Sequence, residues 1–217
     1  MRFTLLGSLF FQHLREMKVW RTLRHPNIVG SIGYAIENRV YGVTAALVSQ
    51  WCANGSVAKY LQRNTTANRE MLVIFDVARG LLHLHSHNPP IIHENLKPRN
   101  ILINDEGRAQ LCDFGLSYVF DGFLMGQTYL IQGETLRFLA PESLGYPEEC
   151  SRPTTESDVY AFGCTCMQVS GSGQRLGRLE LSVAKILSDH LPYYWLRRDI
   201  EVLRAIEGKA APWIWPY

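Results

Sequence analysis

Apolar residues recur at mostly helical spacing between residues 12 and 23, at Leu14, Met17, Val19, Trp20 and Leu23, and the pattern stops at Arg24-His25-Pro26-Asn27. This predicts a helix ended by proline. Residues 28 to 50 read as two strands, IVGSIGYAI and YGVTAALVSQ, around Glu37-Asn38-Arg39, the makings of a small antiparallel sheet. Helical periodicity resumes over residues 57–62 and 69–87, where Leu72, Phe75, Val77, Ala78, Leu81, Leu82 and Leu84 form one broad apolar face. The pattern then changes. Residues 91–115 comprise an apolar strand stub (Ile91-Ile92), a polar loop with His93, Asn95, Lys97 and Asn100, an apolar Ile-Leu-Ile, a turn at Asn104-Asp105-Glu106-Gly107, and Asp113-Phe114-Gly115.

The Asn-Asp-Glu-Gly turn folds the second strand of that block back along the first and brings Asn100 close to Asp113. An amide oxygen beside a carboxylate is a hard ligand pair suited to Mg²⁺.

Composition narrows the class. The 217 residues are 47% hydrophobic and 19% charged, with a net charge of +2 spread as mixed signs. This is an ordinary folded chain with a real core, and neither nucleic acid nor an anionic membrane surface is implied as a partner. Five cysteines (52, 112, 150, 164, 166) share no metal spacing, so they read as buried free thiols in a reducing compartment, and the location expected is cytoplasmic. Residues 3–11, FTLLGSLFF, are too few to span a bilayer and no small-residue cleavage site follows. His83, His85 and His87 alternate along a helix and cannot converge on one ion.

The 91–115 block resembles the catalytic loop and metal-binding loop of eukaryotic protein kinases, whose pattern is H-R-D-L-K-P-x-N, a short hairpin, then D-F-G. His93, Leu96, Lys97, Pro98, Asn100, Asp113, Phe114 and Gly115 match. Flanking segments resemble family elements in the right order. Glu16 takes the place of the ion-pairing glutamate on the small-lobe helix, which also carries Trp20. Ser49 stands at the gatekeeper position, and Ser49, Gln50, Trp51 and Cys52 at the nucleotide-binding hinge. Thr135 sits at the substrate-facing position of the activation segment, ahead of Ala140-Pro141-Glu142, and Asp158 lies in a Ser-Asp-Val-Tyr-Ala-Phe-Gly helix whose aspartate holds the catalytic loop from below. Lys97, Thr135 and the Leu-Arg-Phe-Leu-Ala-Pro-Glu stretch look most like the serine/threonine type within the tyrosine-kinase-like group.

The resemblance implies an α+β, two-lobe fold: a partial small lobe over residues 1–50, a hinge over 51–56, and a mainly helical large lobe over 57–217 that lacks its last helices. Residues 169–187 look inserted, either as a surface insertion or as retained intron sequence. It also implies ATP and Mg²⁺ as cofactors, with Asn100 and Asp113 on the metal and Lys97 near the transferred phosphate, and a protein substrate or partner.

Two departures change the expected activity. Glu94-Asn95 replaces the family's Arg-Asp, so an amide stands where a carboxylate would accept the substrate proton, a loss on the order of 10²- to 10⁴-fold. Glu94 would also repel an activating phosphate on the loop. In addition, no lysine precedes Lys18 and no G-x-G-x-x-G lies ahead of it. A catalytically impaired, pseudokinase-like domain with weakened nucleotide binding is the first expectation. An active serine/threonine kinase whose longer chain supplies the missing strands is the second, and a fragment that folds poorly is the third.

Overall fold

The computed structural model describes residues 20–39, 42–68, 70–113, 133–144, 153–169, 192–193 and 195–212. Glu16, Phe114, most of the first predicted helix, residues 114–132 of the expected activation segment and nearly all of the 169–187 stretch lie outside them.

Residues 20–22 form the end of a helix, which stops ahead of Pro26 as predicted. The indole Nε1 of Trp20 donates to Val29 O at 2.7 Å, tying the helix end to the chain that follows. Strands β1 (Ser31–Arg39) and β2 (Gly42–Ser49) pair antiparallel, with Tyr34 opposite Leu47 and an irregularity between Ser31 and Gly33. The expected boundaries move by several residues. Glu37, Asn38 and Arg39, read as the turn, are paired with Thr44, Val43 and Gly42. Residues 28 and 29 are missing from β1 because a different partner takes them. Val29 N–H donates to Leu111 O and Leu111 N–H to Asn27 O, both at 2.9 Å.

Helix α1 (Val57–Arg63) buries Val57 and Leu61. The predicted helix over 69–87 is present but not uniform: Glu70–Asp76 is a π-helix that passes into α2 (Val77–His85). Leu72, Val73, Val77, Leu81 and Leu84 are buried, whereas Phe75 and Leu82, expected on that face, are 48% and 69% exposed. Ile91-Ile92 forms no strand. Ile91 N–H donates to Leu84 O and closes the end of α2 instead.

The hairpin is as expected: β3 (Ile101–Ile103) pairs antiparallel with β4 (Ala109–Leu111). Its core-facing residues Ile101, Ile103, Ala109 and Leu111 are fully buried, packed with Leu23, Val57, Leu84 and Leu96. Two 3₁₀ turns follow, Gly133–Phe138 and Pro141–Ser143, then α3 (Thr155–Val169) and α4 (Asp199–Glu207). A second, smaller core joins Leu136 to Tyr193, Val202 and Ile206. No helix among the described residues is long and apolar enough to cross a membrane.

Candidate active site

The hairpin positions the loop at each of its ends. Asn104 Oδ1 accepts the N–H groups of Glu106 and Arg108, and Gly107 takes the positive φ (77°) that closes the turn. Asn54 Nδ2 donates to Asn104 O and Ile103 N–H to Gly55 O, so residues 54 and 55 are joined to the hairpin through side chain and backbone. At the open end Cys112 N–H donates to Asn100 O at 3.0 Å, which sets Asp113 one residue beyond the pairing with Asn100.

Asn100 is buried, and its Nδ2 donates to Asn95 O at 2.8 Å. That bond fixes the amide nitrogen inward and leaves the oxygen as the end that can meet a cation. Asp113 is exposed, in a left-handed backbone conformation with φ 55°, which an L-residue adopts at a cost of order 1 kcal/mol. An inward-held amide and a solvent-facing carboxylate fit the oxygen-donor chemistry of Mg²⁺, which retains several waters. Such an ion would neutralise phosphate charge at this position.

The loop between α2 and the hairpin is held by its backbone. Asp158, only 1% exposed in α3, accepts His93 N–H at 2.7 Å and Glu94 N–H at 2.8 Å, and lies 2.8 Å from His85 Nε2. Glu94 has φ 66°, so the chain turns sharply over this carboxylate. His93 is fully buried. Burial, opposed by Asp158, holds its imidazole down to about 4, so the ring is neutral at pH 7 and its Nδ1 accepts Asn95 N–H at 3.3 Å. The side-chain oxygen of Asn95 is shielded from solvent and has no hydrogen-bond partner among the described residues.

Lys97 Nζ donates to Thr135 Oγ1 at 2.6 Å, bringing together two residues singled out from the sequence. The neighbouring Leu136 is fully buried in the second core. Arg137, which carried no signal in the sequence beyond its place in Leu-Arg-Phe-Leu-Ala-Pro-Glu, donates to the carbonyls of Pro192, Tyr193 and Leu196 at 2.7 to 2.9 Å. Glu142 sits exposed on the second 3₁₀ turn.

At residues 49–52, expected as the hinge, Gln50 N–H donates to Gly30 O and Ser49 Oγ to Gln50 O, while Trp51 is 83% exposed. Cys52 is buried 3.9 Å from Gln110 Oε1. Burial raises its thiol and pushes that of Cys112 up to about 12, so both are neutral. Cys164 is buried and Cys166 half-buried, both free, as the sequence led one to expect. Cys150 lies outside the described residues.

The hairpin thus joins an Asn-bearing loop to Asp113, with the buried Asp158 beneath the loop. Residues 10–187 match the family described as protein tyrosine and serine/threonine kinase. The chain belongs to the protein kinase family. Among its relatives in Arabidopsis thaliana, the probable L-type lectin-domain containing receptor kinase V.3 is 38% identical over 195 residues, 86% of this chain and 28% of that protein. The putative L-type lectin-domain containing receptor kinase V.8 is 36% identical over 190 residues, 85% of this chain and 29% of that protein. Serine/threonine-protein kinase CTR1 is 32% identical over 177 residues, 77% of this chain and 20% of that protein. The chain thus spans less than a third of the length of these relatives. With family membership, the mixed α+β architecture of the described residues is that of a protein kinase domain.

Proposed function

We propose that this kinase domain is catalytically impaired and acts mainly by binding protein partners, with residual affinity for MgATP. The observation that carries the reading is Asn95. An amide oxygen can accept a hydrogen bond from a substrate hydroxyl but cannot take its proton, and the loss of a general base is worth on the order of 10²- to 10⁴-fold. In this reading Asn100 and Asp113 hold Mg²⁺, Lys97 faces the transferred phosphate, and residues 49–52 line the nucleotide. His93 and Asp158 keep the loop's shape, while Glu16, Trp20, Phe114, Thr135 and Glu142 have structural or regulatory roles. The domain bounds at residues 50/51 and 56/57, the insertion over 169–187 and a cytoplasmic location belong to the same proposal.

The test is phosphotransfer to a protein substrate by the natural chain and by Asn95→Asp. Activity at least about 10²-fold higher in the variant is expected; equal, robust turnover in both would overturn the proposal. A melting temperature raised by ATP and Mg²⁺ but not by ATP with a chelator would support the metal pair.

The Lys97–Thr135 contact favours a second reading, an active serine/threonine kinase, because it joins the catalytic loop to the segment a substrate would meet. The same assay separates the two.

A further inference from the structure

Three imidazoles outside the site form a contiguous stack where the turn at residues 24–27 crosses α2. The rings of His25 and His83 lie face to face, with centroids 4.7 Å apart and 17° between planes. His87, one helical turn on, meets His83 edge-on at 4.9 Å, and its Nδ1 lies 2.7 Å from His83 O. His25 Nδ1 accepts the backbone N–H of Asn27 at 3.1 Å. A backbone N–H only donates, so Nδ1 must present a lone pair and the His25 ring must be neutral.

Asn27 joins the turn to the hairpin. Its Nδ2 donates to Ala109 O and its carbonyl accepts Leu111 N–H, both at 2.9 Å, and Leu111 lies two residues before Asp113. We propose that the His25–His83–His87 stack is an acid-sensitive latch, in which protonation of His25 at Nδ1 expels the Asn27 N–H and loosens the turn from β4. The added proton removes the acceptor, and the resulting cation lies against His83 with the Arg79 guanidinium nearby. Among the described residues, Asp76, at the N-terminal end of α2, accepts Ala109 N–H at 3.0 Å and has Arg79 at 3.9 Å, and His85 turns away to Asp158.

The electrostatics run in the same direction. Burial first, then His83 and Arg79, hold His25 below its usual 6.5; burial and then His87 do the same to His83. Both folded-state values lie below the unfolded one, so the unfolded chain binds protons more readily. The stack's contribution to stability is complete above about 6.5 and is lost as pH falls through the lowered folded values.

The test is amide exchange at Asn27 and Leu111, corrected for intrinsic rates, at about pH 7.5 and about pH 5.5, in the natural chain and in His25→Asn, whose side-chain oxygen accepts without charging. Exchange should accelerate about tenfold at the lower pH in the natural chain and stay nearly constant in the variant. Equal protection at both pH values in the natural chain, or an equal loss in His25→Asn, overturns the latch. Nuclear magnetic resonance titration of the His25 ring in His83→Gln gives a second reading. Its midpoint should rise towards the ordinary histidine value, and an unchanged midpoint overturns the role of the stack.

Discussion

Glycine inside a helix costs about 1 kcal/mol relative to alanine, so Gly80 in the middle of α2 looks like a position where alanine would stabilise. The structure reverses the sign. A Cβ on Gly80 would stand 2.8 Å from Asn27 O and 2.8 Å from Leu111 Cδ1. Neither atom can yield cheaply: Leu111 is fully buried, and Asn27 O holds the hydrogen bond from Leu111 N–H. Overpacking of this kind costs about 1–3 kcal/mol, and displacing the backbone bond adds about 1 kcal/mol. Set against the gain of about 1 kcal/mol in helix propensity, Gly80→Ala should destabilise by roughly 2 kcal/mol. In a domain of this size that lowers Tm by about 4–8 °C. Urea denaturation read by circular dichroism, with a thermal melt beside it, measures the effect. A Gly80→Ala chain as stable as the natural one, or more stable, would refute the close approach of α2 to the turn and β4.

Asp158→Asn keeps the shape of the side chain but turns an amide N–H towards one of two buried backbone donors; a loss of about 2–4 kcal/mol in urea denaturation is expected, and a loss below about 1 kcal/mol would argue against the carboxylate as the loop's anchor. For the Lys97–Thr135 contact, a double-mutant cycle with Lys97→Met and Thr135→Val should give a coupling of about 1 kcal/mol, and additive effects would show that the pair does not interact. His93, held down to about 4 by burial, binds its proton less readily folded than unfolded. Its stabilising contribution is therefore complete above about 6.5 and eroded as pH falls towards about 4, by about 3 kcal/mol in all. Stability curves against pH for the natural chain and His93→Phe should diverge across that window, and parallel curves would contradict it.

Much of the site was legible because its signals are local. The hairpin rests on an Asn-Asp-Glu-Gly turn between apolar triplets, and the proline after Arg24-His25 stops a helix wherever it stands. The spacing of Asn100 and Asp113 follows from the hairpin itself. What the sequence concealed were choices between partners distant in the chain. Ile28 and Val29 have strand character whether they pair with β2 or with β4, and only the packed structure decides for Leu111. The π turn at Glu70–Asp76 has no marker at the level of hydrophobic period, and a face that counts Phe75 and Leu82 is too broad for a helix whose buried stripe runs through Val77, Leu81 and Leu84. Arg137 reads as an ordinary surface cation until three carbonyls of the 192–196 turn are brought to it. His85 looked like one member of an alternating histidine run, and becomes a partner of Asp158 only when α3 packs beneath the loop.

The way Asp158 holds the loop bears on what the Glu94-Asn95 replacement means. Its two carboxylate oxygens bind the N–H groups of His93 and Glu94, which every residue but proline carries. Asn100 likewise reaches the backbone carbonyl of Asn95, not its side chain. These contacts hold the backbone of the loop without using the side chain at 95. Chemistry has no such independence, because proton transfer depends on the atom that stands at position 95. On the proposed reading, loop geometry and activity are separable: the backbone contacts of the described loop stand whether an amide or a carboxylate occupies position 95. The same separation gives the Asn95→Asp experiment its force, since a carboxylate placed there enters a frame already built, and any gain in rate reports the proton acceptor and not a repaired fold.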